Sequence, residues 1–197
     1  MNILICGDSF ALDWTKWDDI PYKGWPNLIA DSHSVDNIAL HGVSQYKIWK
    51  QFQHLDLSKY DKIIVSVSSY YRMYCQSHPI YTSGRLVNCD LMLMDLETHF
   101  DWFNGSLRTA KGLFKYDYYD DEYLKDIYDM ITDRMREKLQ GSDYIMIGHT
   151  GNRTKHSDID FSKLWKVERG LVNHYTQKGN QDIVNSLQPF LESKNNV

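Results

Sequence analysis

The chain opens on Asn2-Ile3-Leu4-Ile5-Cys6-Gly7-Asp8-Ser9-Phe10, an apolar run that stops at a Gly-Asp-Ser turn. A short apolar run bounded by turn residues reads as a strand buried on both faces, and the Asp-Ser behind it as the passage into a helix. Asp61 to Val67 and Tyr144 to Ile147, each introduced by an aspartate, repeat the pattern, and Val35 to Leu40 is a weaker strand. Between them the apolar spacing turns helical. Trp25, Leu28 and Ile29 around Pro26 mark one helix, and Val43, Tyr46, Trp49 and Phe52 a second. Leu124, Ile127, Tyr128, Ile131 and Met135 form a third stripe, which starts behind Asp120, Asp121 and Glu122 and stops before Gly141. That is the charge and glycine placement of a complete helix. Ile183, Val184, Leu187, Phe190 and Leu191 give a last one. Alternating strands and helices predict an α/β fold: a doubly wound parallel sheet of four to five strands in three α/β/α layers. The fifth strand falls between Thr150 and Leu171, where no run marks its place.

At 197 residues the chain suits one domain spanning 1–197, long enough to bury a sizeable core. The stretch 77–119 breaks the rhythm: it holds Tyr81, Phe100, Trp102, Phe103, Phe114, Tyr116, Tyr118 and Tyr119 without a period. An excursion of that length is a lid or a small structure of its own. Aromatic residues make up 14% of the chain although mean hydropathy is −0.53, so many rings are expected half exposed along a cleft. Net charge is −4 and no Lys/Arg run interrupts it, which argues against a nucleic-acid partner. No window approaches the roughly 20 apolar residues of a membrane helix and no basic leader precedes the first strand, so the expectation is a cytoplasmic protein without a membrane partner. Cys6, Cys75 and Cys89 form no CxxC pair and suggest neither a disulfide framework nor a zinc site. Oligomeric state is not legible.

In an open parallel sheet, ligands bind beyond the carboxyl ends of the strands, where strand order reverses. Three stretches follow predicted strands: Gly7-Asp8-Ser9-Phe10, then Asn37-Ile38-Ala39-Leu40-His41-Gly42-Val43-Ser44, then Ser68-Ser69-Tyr70-Tyr71-Arg72. A serine at such a turn projects its hydroxyl into the cleft while free N–H groups face a developing oxyanion. A glycine after the second strand brings its N–H close with no Cβ in the way. His174, in a polar loop ahead of the last helix, is the base to choose among eight histidines. His149, after Tyr144 to Ile147, is a rival base that reads better as site wall, with Trp14, Tyr70 and Arg72. Each residue has a plainer reading: Asp8-Ser9 a helix cap, Gly42 a turn, His174 a solvated loop residue. His33, His54, His78, His99 and His156 are scattered and read as surface. The acidic run Asp117 to Glu122 is a solvated helix start, and no spacing fits a metal set, so no metal or organic cofactor is expected.

In their order and spacing these blocks resemble the SGNH (GDSL-type) hydrolase family, whose fold is the flavodoxin-like α/β/α sandwich. Gly7-Asp8-Ser9-Phe10 is similar to its nucleophile block, Asn37-x-Ala39-x-x-Gly42-x-Ser44 to its second, and His174 with Gly179 to its last. Gly24-Trp25-Pro26-x-Leu28 looks like its phage and bacterial members. The resemblance implies Ser9 as nucleophile, His174 as base, and the Ser9 and Gly42 N–H groups as oxyanion donors. Two positions depart from it. The third block carries no Asn, which leaves Ser69 or Arg72 to donate, and Leu171 stands where the family has an Asp, which leaves Glu168 or Asp158 to orient the imidazole in a Ser-His dyad or triad. One lost oxyanion donor costs roughly 3 kcal/mol and a wrong tautomer on the order of 10⁴-fold in rate. The implied function is a serine esterase acting on a small ester or an O-acylated carbohydrate. The alternative is a catalytically impaired binding or structural module of the same fold, of a phage accessory type.

Overall fold

β1 (Asn2–Gly7) lies inside the sheet, paired in parallel to β2 (Ser34–Asn37) on one side and β3 (Lys62–Val67) on the other. The computed structural model describes residues 1–13, 16, 20–81, 83–98, 105–149, 156–171 and 174–193. β4 (Tyr144–Gly148) continues beyond β3, and β5 (Ile159–Asp160) closes the far edge, giving the order β2-β1-β3-β4-β5 with every pair parallel. The reversal of strand order therefore falls between β1 and β3. β5 forms only two ladder pairs, which is why no apolar run announces it. β2 ends at Asn37, yet Ile38 N–H donates to Ile5 O and Leu40 N–H to Gly7 O. The chain thus stays beside β1 as far as the sequence suggests.

Alternate residues of each inner strand feed opposite cores, as the two-residue period of a strand requires. Ile3, Ile5, Ile64, Ile145 and Ile147 pack under α1 (Trp25–Ala30) and α7 (Gln177–Glu192), meeting Trp25, Ile29, Ile183, Leu187 and Leu191. Leu4, Cys6, Ile63, Val65 and Met146 pack on the other face under α2 (Gln45–Phe52) and α5 (Asp121–Leu139), meeting Ile48, Phe52, Met135 and Leu139. The result is a three-layer α/β/α sandwich. Each fully buried aliphatic side chain contributes about 1.5–3 kcal/mol, which is the stabilisation behind both layers. α5 begins behind Asp120, whose side chain accepts from Tyr123 N–H, and Gly141 follows its end at φ 83°. Both ends match the sequence signals.

The excursion after β3 carries α3 (Leu93–Thr98), α4 (Gly105–Leu113) and a wide turn at Phe114–Tyr118. Leu96 of α3 and Phe114 of the turn form a satellite cluster with Leu91 instead of joining the cores of the sheet, so the sheet imposes no long apolar stripe on this stretch. Phe100, Trp102 and Phe103 lie outside the described residues. Tyr116 is exposed and Phe114 buried, so the rings of this stretch do not share one surface. α6 (Ser162–Val167) bridges β5 to the loop before α7. Among the described residues no helix is long and apolar enough to cross a membrane.

Gly7 marks the tightest point of the sheet. Its φ is 152°, and a Cβ there would fall 2.5 Å from Ser66 Cβ and 2.7 Å from Ser66 O. No rotamer relieves a clash with backbone. Gly7→Ala is expected to destabilise the protein by about 3 kcal/mol, read as a lower urea midpoint at unchanged m-value; a loss under about 1 kcal/mol would mean that β1 and β3 part at little cost.

Candidate active site

The turn after β1 is a single 3₁₀ turn, Ser9–Ala11, capped by Asp8, and four elements brace it. Asp8 Oδ1 accepts from Phe10 N–H at 3.1 Å and from Ser66 Oγ, on β3, at 3.2 Å. Trp25 Nε1–H of α1 donates to Phe10 O at 2.7 Å, and Asn37 Nδ2 at the end of β2 donates to Ala11 O at 2.8 Å. Gln51 of α2 clasps Gly7, accepting from its N–H at 2.8 Å and donating to its carbonyl at 2.9 Å. A turn satisfied from both sheet neighbours and both helical layers has little freedom, and it holds Ser9 at the point of strand reversal. Ser9 is 8% exposed. Among the described residues neither its hydroxyl nor its backbone N–H has a hydrogen-bond partner.

Gly42 adopts φ 60° in the turn after β2. Its carbonyl accepts from Asp90 N–H and from Arg72 Nη1, both at 2.9 Å, and its own N–H, on the preceding peptide, is uncommitted among the described residues. The reason for glycine differs from the expected one. A Cβ at Gly42 would meet Cys89 Sγ at 2.5 Å, so the position is glycine for its left-handed backbone and for a neighbouring thiol. Asp90, which the sequence reading missed, completes the arrangement. Fully buried, it accepts from Ser44 N–H at 2.7 Å and Cys75 N–H at 2.9 Å and pairs with Lys47 at 2.8 Å. The one signal for it was a carboxylate inside the apolar stretch Cys89-Asp90-Leu91-Met92-Leu93.

His174 sits at the end of a loop closed by the antiparallel bridge Arg169↔Tyr175. It is 7% exposed, and its ring lies 4.8 Å from that of Phe10, the residue after Ser9. His174 is thus packed on the residue that follows Ser9 in the chain. No hydrogen bond joins Ser9 Oγ to His174 in this state; such bonds are often long before substrate arrives. His149 stacks on the same Phe10 ring at 4.8 Å and bonds Tyr175 Oη through Nδ1 at 2.9 Å, while its Nε2 has no hydrogen-bond partner among the described residues. At 1% exposure it is a core residue beneath the turn, not a site wall. Burial drives its pKa down to about 3, with a smaller push from His174, so its imidazole is neutral. His78, expected at the surface, is buried too, its Nδ1 accepting from Ile80 and Tyr81 N–H.

Both acids proposed to orient His174 are engaged elsewhere. Glu168 accepts from Thr176 Oγ1 at 2.6 Å and Lys178 Nζ at 2.9 Å, tying the start of α7 to the loop. Asp158 takes Arg136 at 3.1 Å and Met146 N–H at 2.8 Å. Arg72 donates through Nη1 to the Gly42 and Asp90 carbonyls, so it helps position Gly42. Ser69 Oγ accepts from Tyr71 N–H at 3.3 Å, which leaves its hydroxyl proton for a further acceptor. Tyr70 is buried against Leu124 and Tyr128, and Trp14 lies outside the described residues. Among the described residues no group of three His, Cys, Asp or Glu is placed to hold a metal ion.

No family model and no curated protein matches the chain. Among solved structures it is similar to the psychrotrophic esterase EstA from Pseudoalteromonas sp., with 9% identity over 97% of this chain and 96% of that one at a TM-score of 0.48. It is also similar to a lipolytic protein assigned to the G-D-S-L family in Desulfitobacterium hafniense, with 14% identity over 96% and 98% at a TM-score of 0.47.

Two buried groups in contact with Phe10, Asp8 at the Phe10 backbone N–H and His149 on the Phe10 ring, have opposite proton preferences. Burial raises the Asp8 carboxyl to about 6, against lowering by Phe10 N–H, Arg72 and Ser66. The fold therefore binds the Asp8 proton more tightly than the unfolded chain does, and the stability it contributes below pH 3.8 is lost as pH rises to about 6. His149, with its pKa lowered from 6.5, contributes stability above pH 6.5 that is lost as pH falls toward 3. Between pH 4 and 6 the two slopes, each about 1.4 kcal/mol per pH unit, oppose one another. Asp8→Asn is expected to expose a stability that rises with pH in that window and His149→Phe one that falls, measured by urea unfolding at stepped pH. Parallel profiles in both variants would refute the assignment.

Proposed function

We propose that the protein is a serine-dependent ester hydrolase. The observation that supports the reading is the braced turn after β1, which holds Ser9 at the switch point with its hydroxyl and N–H uncommitted among the described residues; Gly42, in the turn after the neighbouring strand β2, also has an uncommitted N–H there. An ester carbonyl drawn to that point meets two amide donors, the pairing that stabilises a tetrahedral oxyanion. Ser9 Oγ attacks the carbonyl carbon. His174 takes the serine proton and returns it to the leaving alcohol, and water releases the acyl group by the same route. Phe10 packs on the His174 ring and limits its tilt. With no acid on the far nitrogen from Glu168 or Asp158, the mechanism is a dyad, and its rate is expected to lie well below that of a full triad. Small esters and O-acylated carbohydrates are the substrate classes to test.

Asp8 bears on this reading as a structural acid. Its oxygen is already spent on the turn and on Ser66, so it holds Ser9 in place without taking a proton from it.

A fluorophosphonate probe is expected to add one mass increment to the wild type and none to Ser9→Ala. Turnover of p-nitrophenyl acetate should fall by about 10³-fold or more in Ser9→Ala and His174→Ala alike. Undiminished turnover in either variant would overturn the mechanism, and no labelling at all would leave the binding-module alternative.

A further inference from the structure

A cavity of about 340 Å³ opens between the start of α2, the turn after β3 and one face of α5. Neither Ser9 nor His174 lines it. Its walls are rings and aliphatic chains, among them Tyr46, Tyr70, Tyr123, Tyr128, Leu124 and Ile127. A dry cavity of about 150 Å³ accommodates benzene, so this one has room for a fused two-ring system.

The polar groups on the wall decide what kind of molecule enters. Gln45 accepts from Ser68 N–H at 3.1 Å and donates to Thr132 Oγ1 at 3.0 Å, and Ser44 Oγ caps α2 by accepting from Lys47 N–H. Gln45 is engaged on both sides of its amide, and Ser44 keeps its hydroxyl proton for a further acceptor. Arg72 differs. It donates only through Nη1, to the carbonyls of Gly42 and Asp90, so Nε and Nη2 make no hydrogen bond among the described residues. Arg72 acts on the Asp8 carboxyl through space but forms no ion pair among the described residues. The carboxylate of Asp90 is already committed to Lys47 and two N–H groups. A half-buried guanidinium without an anion, on the wall of an aromatic cavity, is matched by a planar carboxylate.

We propose that this cavity binds a small aromatic carboxylate, its ring between α2 and α5 and its charge on Arg72. The site is separate from Ser9 and stands whether or not that serine is a nucleophile. Through Arg72 the bound anion also touches the residue that orients the Gly42 peptide.

2-Naphthoate and the uncharged 2-naphthol are suitable probes, titrated calorimetrically into the full chain. Saturable one-to-one binding of naphthoate is expected, and in wild-type protein carrying ¹³C-labelled isoleucine methyl groups Ile127 and Ile131 should shift on its addition. Arg72→Gln keeps a donor for the carbonyls but removes the charge. It should weaken naphthoate by about tenfold or more and naphthol by less than about threefold. Ser9→Ala should bind naphthoate as the wild type does, which separates this result from a failure of the hydrolase reading. Absence of binding, shifts confined to other isoleucines, or equal weakening of both probes in Arg72→Gln would overturn the proposal. The wild-type methyl measurement decides the site even where a variant does not fold.

Discussion

A carboxylate buried where strand order reverses governs the functional edge of this sheet. Asp8 joins the turn after β1 to the side chain of Ser66 on β3, across the gap in which ligands bind in folds of this kind. It is held at some expense, since burial disfavours its charged form. Removal of Oδ1, which accepts both bonds, would leave Phe10 N–H and Ser66 Oγ without this partner at a buried position. Around this point the other braces are arranged. Trp25, Asn37 and Gln51 come from three different elements; the first two each fix one backbone group and Gln51 fixes two, all close to Ser9 in the chain. The two helical layers and the β2 edge therefore share one task beyond core burial.

The parts of the fold that were legible in the sequence are those the sheet itself imposes. β1, β3 and β4 are buried on both faces and must be continuous apolar runs; α5 and α7 lie on the sheet and must carry a stripe. β5 pairs through two residues and α3 packs on a small separate cluster, so physics demands no long pattern of them. At the candidate site, the turn and loop positions of Ser9, Gly42 and His174 were readable because strand ends and local turns place them. The hydrogen bonds of Asp90, Arg72 and Gln51 were not. Their partners lie 46, 30 and 44 positions away, and no periodicity links a side chain to a backbone group at such a distance. Glu168 misled for the converse reason: it is close to His174 along the chain, but Thr176 and Lys178 claim its oxygens.

The histidines illustrate how exposure alters meaning. His149 stands at the expected edge of the sheet, just beyond β4, yet Phe10 covers one face of it and Tyr175 takes one nitrogen. A group in that setting shapes the floor of a site without titrating in the physiological range. His174 meets the same Phe10 ring, so a single side chain sets the spacing of both imidazoles from the serine turn.

The connection from β3 to β4 has a further consequence, in the statistics of chain closure. About 75 residues separate the two strands, where a helical crossover needs only a dozen or so. Closure entropy grows with the logarithm of loop length, at about 0.6 kcal/mol per doubling, so the whole excursion adds under about 2 kcal/mol to the cost of pairing β4. The part of it ahead of α5, which does not cover the sheet, can be lengthened, shortened or rebuilt by insertion and deletion while the sheet stays as it is. The residues that cannot drift with it are the few that reach back to the second block, above all Asp90 and Arg72.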